Sequence, residues 1–517
     1  MLIMESAELR QTLYTILETK DAQALFACME ENLPSFFATP DIPEFYHILK
    51  DVDLSTCPNL TPKLMLAWMA FLSGDHAGLF PILKSIDEAE LQGPPQCSLF
   101  YTLKAMVGYL TDPQEGLRYA EIAMDILPDG DTPSDASFYS ANARLTYGQL
   151  LANSGQYRHA AELFAAAYHQ FDSLNLAFPA SVALVNENLN RFKLGEFAGV
   201  IDRCNEAMMK AGRFQGETQR FWDALHLPLG MCCYELNKPN LAIRHLNAAK
   251  ACIDAFGLFH MHGMVELYLF KCFTLLGDLA AMERLKNETI AKFETVCFQP
   301  TDAIISLMRI LSCPQPDSPA IQPDIEKFEL EFIKNRRGCN AMIVDVLVYL
   351  RLQGFSDVVA IEDLETRLER LRYIGHIPQI QTALLQIAEL HHLENRPPIA
   401  CNYLREAVNM VKEFGISACF HAMPLRTLGL LQKIEPRLFA TLSKQEKGAA
   451  APADAVLTAR EREIMGLIAQ GKSNDEISKA LYIGIGTIKW HINHIFGKLE
   501  VKNRVQAIAK AKSLGEI

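Results

Sequence analysis

The sequence predicts an all-α chain: a long array of repeated helix pairs followed by a small domain of four helices. Three observations predict it. A helix–turn–helix unit recurs about every forty residues through most of the chain. In the carboxy-terminal stretch, apolar residues fall at the i, i+3, i+4 and i+7 spacings of amphipathic helices. Between the two parts, Lys444 to Ala455 is polar and rich in Ala and Pro, the composition of a flexible connector. The expected division is therefore 1–443, a linker at 444–455, and 456–517.

At 517 residues the chain is too long for one ordinary core. Half of it is hydrophobic and 21% charged, a globular balance. No run approaches the roughly 18 uninterrupted apolar residues of a membrane span. The first residues, Met1 to Glu8, lack the basic flank and apolar core of a signal peptide. The 13 cysteines are scattered without any C-x-x-C pair, and Cys232 and Cys233 are adjacent. This usage suits reduced thiols in a cytoplasmic protein rather than a disulfide frame or zinc site.

The array is clearest at Gly148, Gly155, Tyr157, Ala160, Phe164 and Ala167. Matching offsets give Gly195, Phe197 and Ala207, then Gly230, Asn237, Ala242, Leu246 and Ala249. A later copy has Ala388, Asn395, Ala400, Leu404 and Ala407. Turns are expected near Gly74, Asp112, Gly155, Gly195, Asn237, Gly277, Gly354 and Asn395. The one double-length interval has Pro314 to Pro323 at its midpoint. These offsets resemble the tetratricopeptide repeat, with a longer period than is usual there. The resemblance implies a solenoid with a continuous core and a concave face on which ligands or peptides bind.

The tail divides into four elements. From Thr458, Ile464, Leu467 and Ile468 mark a first helix, with Thr458 and Glu461 in the form of a capping box and Gly471 as its end. Ser473 precedes a short helix holding Ile477 and Leu481, and Gly484 to Gly486 makes a turn. A third helix places Ile488, Ile492, Ile495 and Leu499 on one face, with Lys489, Trp490, Asn493 and Lys498 elsewhere on its surface. That second set is charged, hydrogen-bonding and aromatic, as a major-groove helix requires. A last helix, about 503–514, carries Val505, Ile508 and Leu514 on a face that covers the core or meets a partner.

This block resembles the LuxR-type helix-turn-helix. The matching residues are Leu457-Thr458, Arg460-Glu461-Arg462-Glu463, Gly471, Ser473-Asn474, Glu476-Ile477, Thr487-Ile488-Lys489, His491, Lys498-Leu499 and Asn503-Arg504. The resemblance implies that Lys489, Trp490 and Asn493 face base edges, that Asn474, Thr487 and Lys498 approach phosphates, and that the last helix forms a dimer seam. Three positions depart from the pattern. Gly484 replaces the usual capping Ser at small cost. Trp490 replaces a small β-branched residue and makes readout there apolar. Gly497 replaces Arg or Lys, removing a backbone contact and weakening the helix by up to about 1 kcal/mol. A repeat array before such a domain also resembles the rear half of maltose-operon-activator-like regulators, without their amino-terminal nucleotide-binding domain.

Charge agrees with a nucleic-acid role. From Val456 onward, ten Lys and Arg face six Asp and Glu, while the rest of the chain holds 39 against 55. The tail is attracted to phosphate and the array repelled.

Gly466 to Ser473 satisfies G-x-x-x-x-G-K-[ST] to the letter, yet Gly466 to Ala469 fall inside a predicted helix, where backbone amides are already used. His491 with His494, His260 with His262, and His391 with His392 lack the further ligands of a metal site and are expected to be hydrogen-bonded or exposed. Trp68 and Trp222 are expected in the core. No acid–base pair, nucleophile motif or cofactor loop is found, so no enzymatic activity, cofactor or metal is expected.

The expected function is a bacterial, cytoplasmic transcription regulator. It binds double-stranded DNA as a homodimer, senses a small molecule or protein on its array, and has RNA polymerase as a further expected partner. A protein-interaction scaffold with an accessory tail is the alternative.

Overall fold

In the computed structural model, every assigned element among the described residues is a helix. The structure describes residues 4–54, 56–57, 59–127, 134–211, 220–256, 259–293, 300–313, 318–336, 338–422, 426–445, 459–481, 492, 495–496, 499, 501 and 503–513. The chain divides into two compact units, Met1–Pro436 and Arg437–Ile517. Residues 444 and 445 end a helix, Pro436–Gln445, and the rest of the expected linker from 446 lies outside the described residues.

The first unit begins with α1 (Ser6–Thr19), α2 (Ala22–Glu31), α3 (Leu33–Phe37), α4 (Ile42–Leu49), α5 (Thr61–Leu72) and α6 (His76–Lys84). It continues with α7 (Gly93–Thr111), α8 (Pro113–Asp125), α9 (Ser134–Asn153), α10 (Tyr157–Ser173), α11 (Ala177–Lys193) and α12 (Phe197–Ala211). Next come α13 (His226–Glu235), α14 (Pro239–Phe256), α15 (Phe259–Leu276), α16 (Leu279–Phe293), α17 (Pro300–Ser312) and α18 (Gln322–Lys334). The unit closes with α19 (Ala341–Gln353), α20 (Ile361–Ile374), α21 (Ile377–Leu393), α22 (Pro397–Phe414), α23 (Ala418–Ala422) and α24 (Leu428–Ile434).

Successive helices pack on one another, among them α7 on α8, α9 on α10, α10 on α11, α13 on α14 and α21 on α22. This nearest-neighbour packing makes the unit a helical-repeat array. Of the eight turn positions expected from sequence, seven have positive φ: Gly74, Gly155, Gly195, Asn237, Gly277, Gly354 and Asn395. Glycine and asparagine are the residues that reach that region at least cost, which is why they mark the turns. Asp112 works differently. Its backbone is extended and its carboxylate caps α8, accepting from the amides of Gln114 (3.0 Å) and Glu115 (3.3 Å). The double-length interval holds the pair α17 and α18, with Pro323 in the first turn of α18 and residues 314–317 outside the described set.

The residues that defined the repeat are its core. Ala160, Phe164 and Ala167 are fully buried, as are Ala242, Leu246 and Ala249. Trp68 and Trp222 are buried too. Of the histidines expected to be hydrogen-bonded or exposed, His262 is fully buried with Nε2 3.0 Å from Asp254, and His391 is buried and stacked on Tyr403 with ring centres 5.7 Å apart. The twelve described cysteines are all free thiols.

The array also folds back on itself. The turns of its middle repeats sit against the segment from Ile374 to His421, far away in sequence. A Cβ on Gly155 would lie 2.7 Å from Ile374 Cγ2, and one on Gly195 would lie 2.9 Å from Phe414 Cδ1 and 3.0 Å from Ile377 Cγ1. Tyr157 and His376 meet edge to face at 5.6 Å. The Ser417 amide donates to the Glu235 carbonyl (2.9 Å), and Asn237 Nδ2 lies 2.9 Å from His421 Nε2. Helix α21 begins at this seam and, packed on α20 and α22, is buried along most of its length, polar residues included. Gln381 Nε2 donates to the carbonyls of Ala407 (3.2 Å) and Ile416 (3.0 Å). The Glu389 carboxylate accepts from the amides of Arg426 (2.8 Å) and Thr427 (3.1 Å) and from the Thr427 hydroxyl. These bonds satisfy groups that would be costly to bury unpaired.

Helices α7 and α8 cross at Gly108 and Gly116, where a Cβ on Gly108 would fall 2.6 Å from the Gly116 amide nitrogen. Gly108→Ala is expected to destabilise the first unit by about 1–3 kcal/mol through overpacking. Gly429, in α24, has nothing within 4 Å of its added Cβ. Gly429→Ala should be neutral or stabilising by up to about 1 kcal/mol. Thermal unfolding of the two variants beside the native chain checks the contrast, which equal midpoints would contradict.

Candidate nucleic-acid interface

The second unit contains α25 (Pro436–Gln445), α26 (Ala459–Ala469), α27 (Asn474–Leu481) and α28 (Arg504–Ser513). Its core is built from the apolar stripes of the tail. Ile464, Met465, Ile468, Ile477, Ile492, Ile495, Leu499, Ala507 and Ala511 form one buried cluster, with Leu467, Phe496, Val501 and Ile508 packed against it. Ile492, Ile495 and Leu499 are thus inward-facing, as their spacing predicted. The last helix has Ile508 packed against this cluster, and Leu514 lies outside the described residues. The helix covers the core with Ala507 and Ala511, whereas Val505 is 77% exposed.

Two local devices fix the α26–α27 turn. Gly471 has φ +81°, and its amide and that of Lys472 donate to the carbonyls of Ile468 (3.0 Å) and Leu467 (3.2 Å). This is a glycine-dependent helix end. Ser473 and Glu476 then form a reciprocal capping box. Ser473 Oγ accepts from the Glu476 amide (3.3 Å), and the Glu476 carboxylate accepts from the Ser473 amide (2.7 Å) and hydroxyl (2.8 Å). Those bonds hold the Glu476 carboxyl below its ordinary pKa. The sequence reading had placed a capping box at Thr458 and Glu461, of which Thr458 lies outside the described residues. The box at Ser473 was legible as S-x-x-E but passed over.

Arg504 ties α28 to this turn. Its Nη1 donates to Asn474 Oδ1 (3.3 Å) and its Nη2 to the Lys472 carbonyl. Asn474, expected at a phosphate, is therefore the first residue of α27 and is oriented by Arg504. Lys489, Trp490 and Asn493, expected at base edges, and Thr487 and Lys498, expected at the backbone, lie outside the described residues. The phosphate-loop lookalike is accounted for: Gly466 to Ala469 are helical, and the Gln470 amide donates to the Gly466 carbonyl (3.1 Å).

Residues 455–511 match the family described as bacterial regulatory proteins, luxR family. The carboxy-terminal domain is of the LuxR type. The chain is 48% identical over 59 residues to the transcriptional regulatory protein DesR of Bacillus subtilis (strain 168), covering 11% of this chain and 30% of that one. It is 52% identical over 56 residues to the response regulator protein VraR of Staphylococcus aureus (strain NCTC 8325 / PS 47), covering 11% and 27%. The chain thus spans less than a third of the length of these curated relatives. A crystal structure of Rap protein complexed with competence and sporulation factor aligns over 79% of this chain and 99% of that one, with TM-score 0.42 and 13% identity. No described helix is long and apolar enough to cross a membrane.

In the LuxR-type domain the cap is the feature most open to test. Ser473→Ala removes the two bonds made by the hydroxyl, keeps the Ser473 amide on the Glu476 carboxylate, and is expected to cost about 1 kcal/mol. Hydrogen exchange at the α27 amides of the full chain should quicken about five-fold, and unchanged protection there would show that the box contributes nothing.

Proposed function

We propose that this chain is a sequence-specific DNA-binding transcription regulator whose helical-repeat array receives a small-molecule or protein signal. The observation that carries this reading is the LuxR-type match over 455–511 together with a folded core made from that segment's own apolar stripes. Homologues over this region include transcriptional regulators. A third helix whose Ile492, Ile495 and Leu499 are buried leaves its other positions for DNA. Lys489, Trp490 and Asn493 are assigned to base edges, and Thr487 and Lys498 to phosphates. Asn474 joins the second group. Its Oδ1 is held by Arg504, and among the described residues its Nδ2 has no partner, so it can donate to a phosphate oxygen.

The exposed Val505 supports pairing of two copies through α28, and the protein acts as a homodimer on a two-fold-related site. Such a regulator works in the cytoplasm and meets RNA polymerase at its promoters. The array is tetratricopeptide-like and supplies the sensing surface, and the chain is assigned no catalytic role. Residues 1–443 and 456–517 are the two functional parts, joined by 444–455.

Capture of genomic fragments by the full-length protein tests the reading. The native chain should enrich one shared, two-fold-related sequence, and Lys489→Ala with Asn493→Ala should lose it. Lys498→Ala should weaken all sequences alike and lower the salt slope by about 1. If neither the full chain nor residues 456–517 enriches any sequence at low salt, the regulator reading fails and the protein-interaction scaffold replaces it.

A further inference from the structure

Two lysines of the array rest on aromatic faces rather than on carboxylates. Lys193, the last residue of α11, has its ammonium 4.7 Å from the centre of the Tyr157 ring. Lys271 of α15 lies over Tyr268 (5.0 Å) and Tyr234 (5.8 Å). Among the described residues neither lysine has an ion pair or hydrogen bond. Both lysines are only partly exposed, and the three tyrosines are buried.

These groups belong to one region. Tyr234 and Tyr268 meet edge to face at 5.5 Å, and Phe192, next to Lys193, sits 6.3 Å from Tyr268. His376, which caps α21, packs on Tyr157. Its pKa is pushed down to about 3, first by burial and then by the charges of Lys193, Arg367 and Lys271. All three cations therefore act on one ring. With the His376 Nδ1 accepting from the Gln379 amide (3.4 Å), the proton of the neutral ring is on Nε2, a further donor.

The nearby carboxylates do not balance this charge. Asp345 is engaged by Arg367 (3.1 Å) and by Gln386 (2.9 Å). Glu235 is buried, and burial pushes its pKa up to about 7 although Lys271 and the Tyr268 hydroxyl act in the opposite direction. It is then only partly charged at neutral pH. Burial likewise lowers Lys193 to about 8. A poorly solvated cation without a counter-ion is costly, and an anion bound beside it relieves that cost.

We propose that this part of the seam is an anion-binding site, in which Lys193 and Lys271 hold the carboxylate or phosphate group of a small-molecule ligand and His376 Nε2 donates to it. The proposal rests on the reading of the array as a sensor and names the chemical class of its signal. It also places the ligand at the seam where the middle repeats meet α20 and α21, so occupancy bears on the closure of the array.

The test is lysine-by-lysine reductive methylation of the full-length chain, read by mass spectrometry. Two probes, inorganic phosphate and benzoate, are compared with chloride at equal ionic strength. Lys193 and Lys271 should react about ten-fold more slowly once a probe exceeds its dissociation constant about ten-fold. Exposed Lys334 should be unchanged. The more protective probe identifies the head group. Lys193→Met should abolish protection of Lys271, and Lys193→Arg should keep it. If neither probe slows the two lysines of the native chain relative to chloride, the site is overturned. Fragment capture with and without the protective probe separates this from the sensor reading. Protection without any change in DNA capture leaves the site standing and removes its coupling to the tail.

Discussion

The contact on which the first unit depends is the seat of three tight turns against a returning helix layer. Gly155, Gly195 and Asn237 reverse the chain with positive φ, and the space around them is filled by Ile374, Ile377, Phe414 and His421. At Gly155 and Gly195 a side chain is excluded twice, by backbone conformation and by the neighbour across the seam. An open solenoid has only nearest-neighbour interfaces, so its ends are loosely coupled. Here the seam joins residues nearly two hundred apart in sequence, as Asn237 and His421 show. The amino-terminal end of α21, at His376 and Ile377, lies at this seam, and the body of the helix is buried against α20 and α22.

Closure also explains the unusual chemistry of the interior. Helices brought together from distant repeats carry polar side chains with them. Some find complete sets of partners, as Glu389 does with Arg426 and Thr427. Others, Lys193 and Lys271 above all, rest on aromatic faces instead. Cation–π contact offsets part of the loss of water but not all of it.

The repeat was legible because each unit writes its own signals locally. A glycine or asparagine stands at the turn, and Ala160, Phe164 and Ala167 recur as Ala242, Leu246 and Ala249 at helical spacing. The tail was legible for the same reason, its stripes forming a single core. The closure was not legible. It is made by pairs such as Tyr157 with His376, which share no local pattern and are brought together only by superhelical geometry. The place of His391 was not legible on the same ground: expected to be hydrogen-bonded or exposed, it is buried and stacked on Tyr403. The capping box at Ser473 was a simpler oversight, since its spacing lay in plain view. The DNA-facing residues were assigned by resemblance, and of these Asn474 is the one whose surroundings the structure describes.

Native-state hydrogen exchange of the full chain in rising, sub-denaturing guanidinium tests the closure most directly. The amides of α10 to α14 and those of α21 and α22 should merge into one exchange isotherm, with a single free energy and a single denaturant slope. A graded series, in which α21 and α22 open independently of the middle repeats, would contradict it and return the array to an open solenoid.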